Sequence, residues 1–272
     1  MNEFEQDLVS HTLEKLFSDS LFKSPAVGIR TTDTVGESAT LLSHYLESFT
    51  DSLVVTKNSK PVGVIGGKEL LDGVLKNPNS DFFDNTKVEQ IMNEKITVVS
   101  NHTKLSELLK QWQETRRAFA IISNPYSGYS AISARKILEI ANKYKTSMTV
   151  SEIPKKRVVT FNGNFTVKEI INSMFENKTR KLILQDTLEF VSDRIIIEKI
   201  VRELNYLRNV KDFLSMNSRI FKFENAKTIS EDLNIQEASK MMYGMTSPYL
   251  IIKDQVISPW DIVLSLSSGK FR

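Results

Sequence analysis

The chain has 272 residues, 40 % apolar and 25 % charged, with a net charge of +3, a globular composition with enough length for one large or two medium domains. It contains no cysteine, which excludes disulfides, thiolate nucleophiles and cysteine metal sites, and its only imidazoles, His11, His44 and His102, are scattered, so a zinc or haem site is not expected. The opening MNEFEQDLVSH is acidic and polar and no run approaches ~18 apolar residues, so neither a signal peptide nor a membrane span is expected and the expected compartment is the cytoplasm.

Charge is uneven along the chain. Residues 1–140 hold 15 basic and 18 acidic residues, and residues 141–272 hold 21 and 15. Lys155-Lys156-Arg157 and the run Lys178-Thr179-Arg180-Lys181 carry much of the basic excess, which reads as a solvated face or as a preference for anions.

In chain order, residues 1–24 place Phe4, Leu8, Leu13, Leu16 and Phe17 at near-helical spacing ahead of Ser24-Pro25. This predicts a leading amphipathic helix whose apolar stripe covers the open end of a repeat array. The array has four units. The first is predicted to have an entry strand at 27–29, a helix over 34–48, strands at 53–56 and 62–65, and a helix over 68–75 that ends at Asn77-Pro78-Asn79-Ser80. The second enters at 96–99, with a helix over 103–115 and strands at 118–123 and 130–133 about the turn Asn124-Pro125-Tyr126-Ser127-Gly128, then a helix over 135–144. The third enters at 157–161, with a helix over 166–176 and strands at 181–184 and 189–191. A long helix then lines up Ile196, Ile197, Ile200, Val201, Leu204 and Leu207. The fourth enters near 220–223, is helical over 234–243, and closes with YLIIKDQVISPWDIVLS over 249–265. That stretch reads as a strand, a polar turn at Lys253-Asp254-Gln255, a second strand, and Ser258-Pro259-Trp260-Asp261 opening a helix.

Helix-start signals precede each strand pair: Thr34 with Glu37, Thr103 with Ser106-Glu107, Thr166 with Glu169, and Asn234 with Glu237. The cap positions 34, 103, 166 and 234 lie 69, 63 and 68 residues apart. Such repetition marks supersecondary units that bury their apolar faces on one another. The segment 145–154 is the expected boundary between two pairs, which gives an N-terminal helix at 1–24, a first pair at 25–147 (copies about 25–78 and 88–145) and a second pair at 148–272 (copies about 150–208 and 216–270).

A unit of entry strand, helix, two strands and helix, with Gly-h-h-Ser/Thr-x-x-Asp at the last strand-to-helix junction, resembles the CBS domain. The resemblance covers about residues 24–270 as four copies. It implies an α/β (α+β) fold of four β-α-β-β-α units in two pseudo-symmetric modules, often associated as a disc. It also implies an adenosine nucleotide in the cleft between paired copies, with the motif Asp accepting from both ribose hydroxyls. An ionised carboxylate suits a vicinal diol, and a helix N-terminus favours phosphate.

Copy four carries the full pair, Ser258 and Asp261. Copy one has Gly66 and Glu69, a possible second site without the hydroxyl. Copy two has Ser133 but Lys136, and copy three Ser192 but Ile195. By the repeat geometry Thr228, Ile229, Pro248 and Tyr249 would wall the base, and Arg180 and Lys181 would meet phosphate. Ser-Pro-x-Asp is equally a helix start, with Ser as cap, Pro at the first position and an acid near the dipole; Tyr249 and Ile229 read equally well as core.

No acid pair with a nucleophile, P-loop, Rossmann spacing or metal cluster is present, so an enzyme is not expected. Three functions stay open. One is a regulatory sensor that binds AMP, ADP, ATP or an S-adenosyl compound and passes occupancy to a target protein, with a homodimer expected. Another is an interaction scaffold that has lost its ligand. The third and weakest is a nucleic-acid binder using the basic second half, for which no recognition motif is present.

Overall fold

The structure, a computed structural model, describes residues 8–17, 25–44, 51–124, 128–203 and 213–268. In copy one, β1 (Gly28–Arg30) leads through α2 (Val35–His44) to a hairpin of β2 (Ser52–Lys57) and β3 (Lys60–Gly66), then α3 (Gly67–Lys76) and a short α4 (Ser80–Asn85). Copy two repeats this with β4 (Val98–Val99), α5 (Leu105–Thr115), β5 (Phe119–Asn124), β6 (Gly128–Ser133) and α6 (Ala134–Lys143). Copy three has β8 (Thr160–Phe161), α7 (Val167–Glu176), β9 (Lys181–Leu184), β10 (Glu189–Ser192) and α8 (Asp193–Arg202). Copy four has β12 (Lys227–Thr228), α9 (Ile235–Tyr243), β13 (Leu250–Ile252), β14 (Gln255–Ile257) and α10 (Pro259–Ser265). The entry strand runs parallel to the first hairpin strand, as a helical crossover requires, and the hairpin strands are antiparallel. The β2–β3 hairpin turns on Asn58 and Ser59 at φ 52° and 60°, the double positive φ of a two-residue type I′ loop.

Two sheets gain a fourth strand from a linker. β7 (Lys156–Arg157) pairs antiparallel with β14, and β11 (Glu224–Asn225) pairs antiparallel with β10. Single bridges do the same in copies two and one, Pro25 to Ser130 and Asn93 to Val64. Residues 25 and 156, and 93 and 224, are each 131 apart, so the linkers repeat with the copies.

Several sequence expectations are corrected. The fourth entry strand is Lys227–Thr228; residues 220–223 follow a 3-10 turn at Ser218–Ile220 instead, since Ile229 N bonds to Ile251 O at 2.9 Å and so sets the register later. Lys104, not Thr103, precedes α5, because the Thr103 hydroxyl accepts from Ser100 N at 3.1 Å. The leading segment is a 3-10 turn at Leu8–Ser10 and a short α1 (Leu13–Phe17), broken where Thr12 bridges to Lys104 and Leu13 N bonds to Thr103 O at 2.9 Å. Residues 45–48, Leu204, Leu207, Phe4 and the turn 125–127 lie outside the described residues. The other caps stand: Thr34 and Glu37, and Thr166 and Glu169, exchange reciprocal bonds, and Asn234 accepts from Gln236 N at 2.7 Å.

The chain divides into two compact units, each drawn from alternate copies. The first comprises Met1–Ala26, Ile96–Arg157 and Lys227–Arg272, and the second Val27–Lys95 and Val158–Ala226. In the first, copies two and four meet through α6, which packs on α9 and α10. The leading segment joins that core, with Leu8, Leu13, Leu16 and Phe17 in one cluster with Trp112 and Leu266. In the second unit, α8 packs on α2 and α3, and its Ile195, Ile196, Ile197 and Ile200 are buried. This apolar helix is thus covered inside its own unit, and among the described residues only Val98 and Leu188 are exposed large hydrophobics. No helix among the described residues is long and apolar enough to cross a membrane.

Candidate functional site

In the first unit the sheet β12-β13-β14-β7 carries Tyr249 just before β13 and Ser258 just after β14, with Pro248 next to Tyr249 and Asp261 in the first turn of α10, whereas Thr228 and Ile229 run beside Ile251, toward the far end of β13. Thr228 faces Ile251 in register and Leu250 faces Ile257, so the residue before Leu250 and the residue after Ile257 bring Tyr249 opposite Ser258. Thr228 is exposed, Ile229 and Pro248 half-buried, and Tyr249 only 5 % exposed. Ile229 packs on the unit core, as the core reading of that residue expected.

Ser258 and Asp261 form the start of α10. Oδ2 of Asp261 accepts both the Ser258 N–H at 2.8 Å and the Ser258 hydroxyl at 2.7 Å. Pro259 sits in the first turn, where it loses no bond because helix-start N–H groups have no partner within the helix. Both of these bonds fall on one oxygen, Oδ2. Burial pushes the Asp261 carboxyl up, against hydrogen bonds from Ser258 and the charge of Lys156 that pull it down. Burial likewise pushes the Tyr249 hydroxyl up to about 12, with the Asp261 charge adding to the rise. The site therefore offers a fixed, partly desolvated carboxylate with an aromatic wall and one nearby cation. Lys156, on the linker strand β7, was not singled out from the sequence except as part of a basic run. Only its pairing with Val256, two residues before Ser258, reveals it.

Arg180, Lys181, Gly66 and Glu69 belong to the second unit. Arg180 Nε holds Asp193 at 2.6 Å and its Nη1 lies 3.6 Å from Asp51, so its charge is engaged within that unit; the Asp193 charge, foremost, holds its pKa above the usual value. Glu69 Oε2 accepts from Gly66 N at 3.0 Å and repeats the acid half of the Asp261 arrangement. A Cβ on Gly66 would stand 3.0 Å from Ser52 Oγ, so a neighbouring hydroxyl fills the space where the other copies carry their own serine. In the two copies without the acid, Ser133 accepts from Lys136 N at 3.4 Å and Ser192 from Ile195 N at 3.2 Å. There the serines serve as plain helix caps.

Burial pushes the Lys181 ammonium down to about 7, and the charges of Arg180 and Arg194 push the same way. The unfolded lysine keeps its ordinary value near 10.5. Between these values the unfolded chain holds the proton and the folded chain does not, so this residue makes stability rise with pH across that window and adds no slope below it. Melting temperatures from pH 6 to 10 should climb more steeply for the wild type than for Lys181→Met; parallel curves would refute the assignment.

Neither a family model nor a curated protein matches this sequence. Solved structures do. A protein of Methanocaldococcus jannaschii, described as a proposed archaeal homologue of γ-AMPK, aligns with a TM-score of 0.76 at 17 % identity over 93 % of this chain and 99 % of that one. An uncharacterised conserved protein of Pyrococcus horikoshii aligns at 0.54 with 13 % identity, over 89 % and 96 %. A proposed signal-transduction protein with CBS domains from Burkholderia ambifaria covers 47 % of this chain and 88 % of its own, at 19 % identity and a TM-score of 0.39. The four-fold repeat of strand, helix, hairpin and helix, carried over almost the whole chain, is that of tandem CBS domains, and this chain has their fold.

Proposed function

We propose that this protein is a regulatory sensor that binds an adenosine nucleotide at the Ser258–Asp261 end of copy four and passes occupancy to a partner protein. AMP, ADP and ATP are the ligands to test first, with S-adenosyl compounds next, and Gly66 and Glu69 belong to the same proposal as the second site. The observation that carries it is the carboxylate of Asp261, held by Ser258 through Oδ2 at the start of α10 and partly desolvated beside Tyr249, a group suited to accept from a ribose diol. The fold of the γ-AMPK-like neighbour supports the same class of role.

Calorimetric titration of the wild type and Asp261→Asn with the three nucleotides tests it. Asn presents a single carbonyl oxygen and no charge, and charge-assisted hydrogen bonds contribute ~1.5–3 kcal/mol, so affinity should fall about tenfold or more with the fold intact. No binding by the wild type would favour the scaffold reading. One observation supports that reading: Ser258 and Asp261 already satisfy each other as a helix start. In that case Asp261→Asn should lower stability by a few tenths to ~1 kcal/mol and nothing else. A homodimer, expected from the apolar α8, loses that particular argument now that α2 and α3 cover the helix; light scattering reads the mass directly.

A further inference from the structure

Copy two has no motif acid, yet its last helix begins with a charged residue that is almost wholly buried. Arg135, second residue of α6, is 3 % exposed. Its guanidinium donates to three main-chain carbonyls of copy four, Thr246 O at 3.1 Å from Nη1, Tyr243 O at 3.0 Å from Nη2, and Met245 O, also from Nη2. A buried cation is costly unless it is hydrogen-bonded, and here Nη1 and Nη2 are bonded to carbonyls at and just beyond the C-terminal end of α9, where the helix dipole also favours positive charge. These carbonyls sit immediately before Ser247, Pro248 and Tyr249, the run that walls the candidate site.

We infer that Arg135 is a positioning residue for the nucleotide site of copy four: from copy two it sets the course of residues 243–249 and so the placement of Pro248 and Tyr249. Within this turn Gly244 N reaches Lys240 O at 3.3 Å and Met245 N reaches Met242 O at 3.1 Å, and the guanidinium adds bonds to the carbonyls of Tyr243, Met245 and Thr246 that fix their peptide planes. The flanking contacts hold α6 to α9 by other means: Tyr243 donates to Glu139 at 3.1 Å, Ser239 to Leu138 O at 3.2 Å, and Gln236 Nε2 to Asn142 O at 2.7 Å. The helix start that carries Lys136 in place of an acid in copy two thus acts on the copy that keeps one.

The inference rests on the proposed nucleotide binding, and the test separates the two. Arg135→Lys keeps the charge but replaces the planar fork by a point donor that cannot reach all three carbonyls together. Hydrogen exchange at Gly244–Ser247 and Tyr249 should quicken about tenfold, since local opening reports the bonds that hold a segment. Nucleotide affinity should weaken about fivefold through loss of the ordered wall. Gln236→Ala removes a contact between the same helices away from residues 243–249, and should lower the melting temperature while leaving affinity unchanged. Should Arg135→Lys fail to fold, Arg135→Gln, which retains a planar donor without charge, takes its place in the same comparison. A wild type that binds no nucleotide sinks the binding reading and this inference with it. A wild type that binds, with Arg135→Lys binding equally, sinks the inference alone, as does unchanged exchange at 244–249.

Discussion

Trp112→Ala should cost the first unit about 3–5 kcal/mol, the range for deleting a fully enclosed large aromatic side chain. Trp112 is 0 % exposed and heads the fully buried side chains by volume. It belongs to the cluster that joins the leading segment, copy two and copy four, so the void has walls in all three and cannot close by the shift of one element. Trp112→Phe should cost far less, about 1–2 kcal/mol, because most of the ring volume stays and because the indole Nε1 is buried without a hydrogen-bond partner among the described residues. Urea unfolding followed by the fluorescence of Trp260, the second tryptophan and in the same unit, gives both values. A loss under about 1 kcal/mol for the alanine variant would mean that the core is not closed around this ring.

Gly67→Ala should destabilise the second unit by about 2–3 kcal/mol through overpacking and a disturbed ion pair. A Cβ there would overlap Asp193 Oδ2 and lie 3.0 Å from its Cγ. Asp193 has little freedom to retreat. It is 4 % exposed, its Oδ2 holds Arg180 Nε at 2.6 Å, and its Oδ1 accepts from Arg194 N at 2.9 Å. The figure stands below the full range for broken buried pairs because the Arg180 side chain is 51 % exposed and water would recover part of its solvation. Gly163→Ala serves as the control: its added Cβ meets nothing nearer than 3.6 Å and should change stability by less than about 0.5 kcal/mol. Equal melting temperatures for Gly67→Ala and the wild type would show that Asp193 moves aside freely.

The repeat was legible because its signals are local. A capping side chain, an apolar strand and a tight polar turn each act within a few residues, and their recurrence near 63–69 residues located all four copies. What the sequence hid is made of contacts with no local mark. The linker strands Lys156–Arg157 and Glu224–Asn225 are two residues long and polar, and they pair through main-chain groups that every residue carries. The fourth entry strand, Lys227–Thr228, is exposed at both positions and shows no apolar alternation, whereas Ile220, Phe221 and Phe223 imitate a strand while packing around a turn. The grouping of alternate copies depends on which helix faces fit, as α6 does on α9 and α10. At the candidate site the motif identified Ser258 and Asp261, and the neighbouring strand start identified Tyr249. Lys156 and Arg135 came only with the structure, because each acts on a residue about a hundred positions away.

The interleaving of the two units also sets a timetable for the chain as it is made. Copy one cannot complete its unit until copy three has been synthesised, and copy two waits in the same way for copy four. From residue 95 to residue 226 the ribosome adds about 130 residues, which at ~5–20 residues per second takes roughly 7–26 s. During that interval the apolar faces of α2 and α3 that will receive α8 have only part of their final cover. Contacts this distant in sequence also slow refolding from denaturant, since a long loop must close before any stabilising contact forms. The growing chain is therefore most open to chaperone capture on these helix faces while its first half alone has emerged.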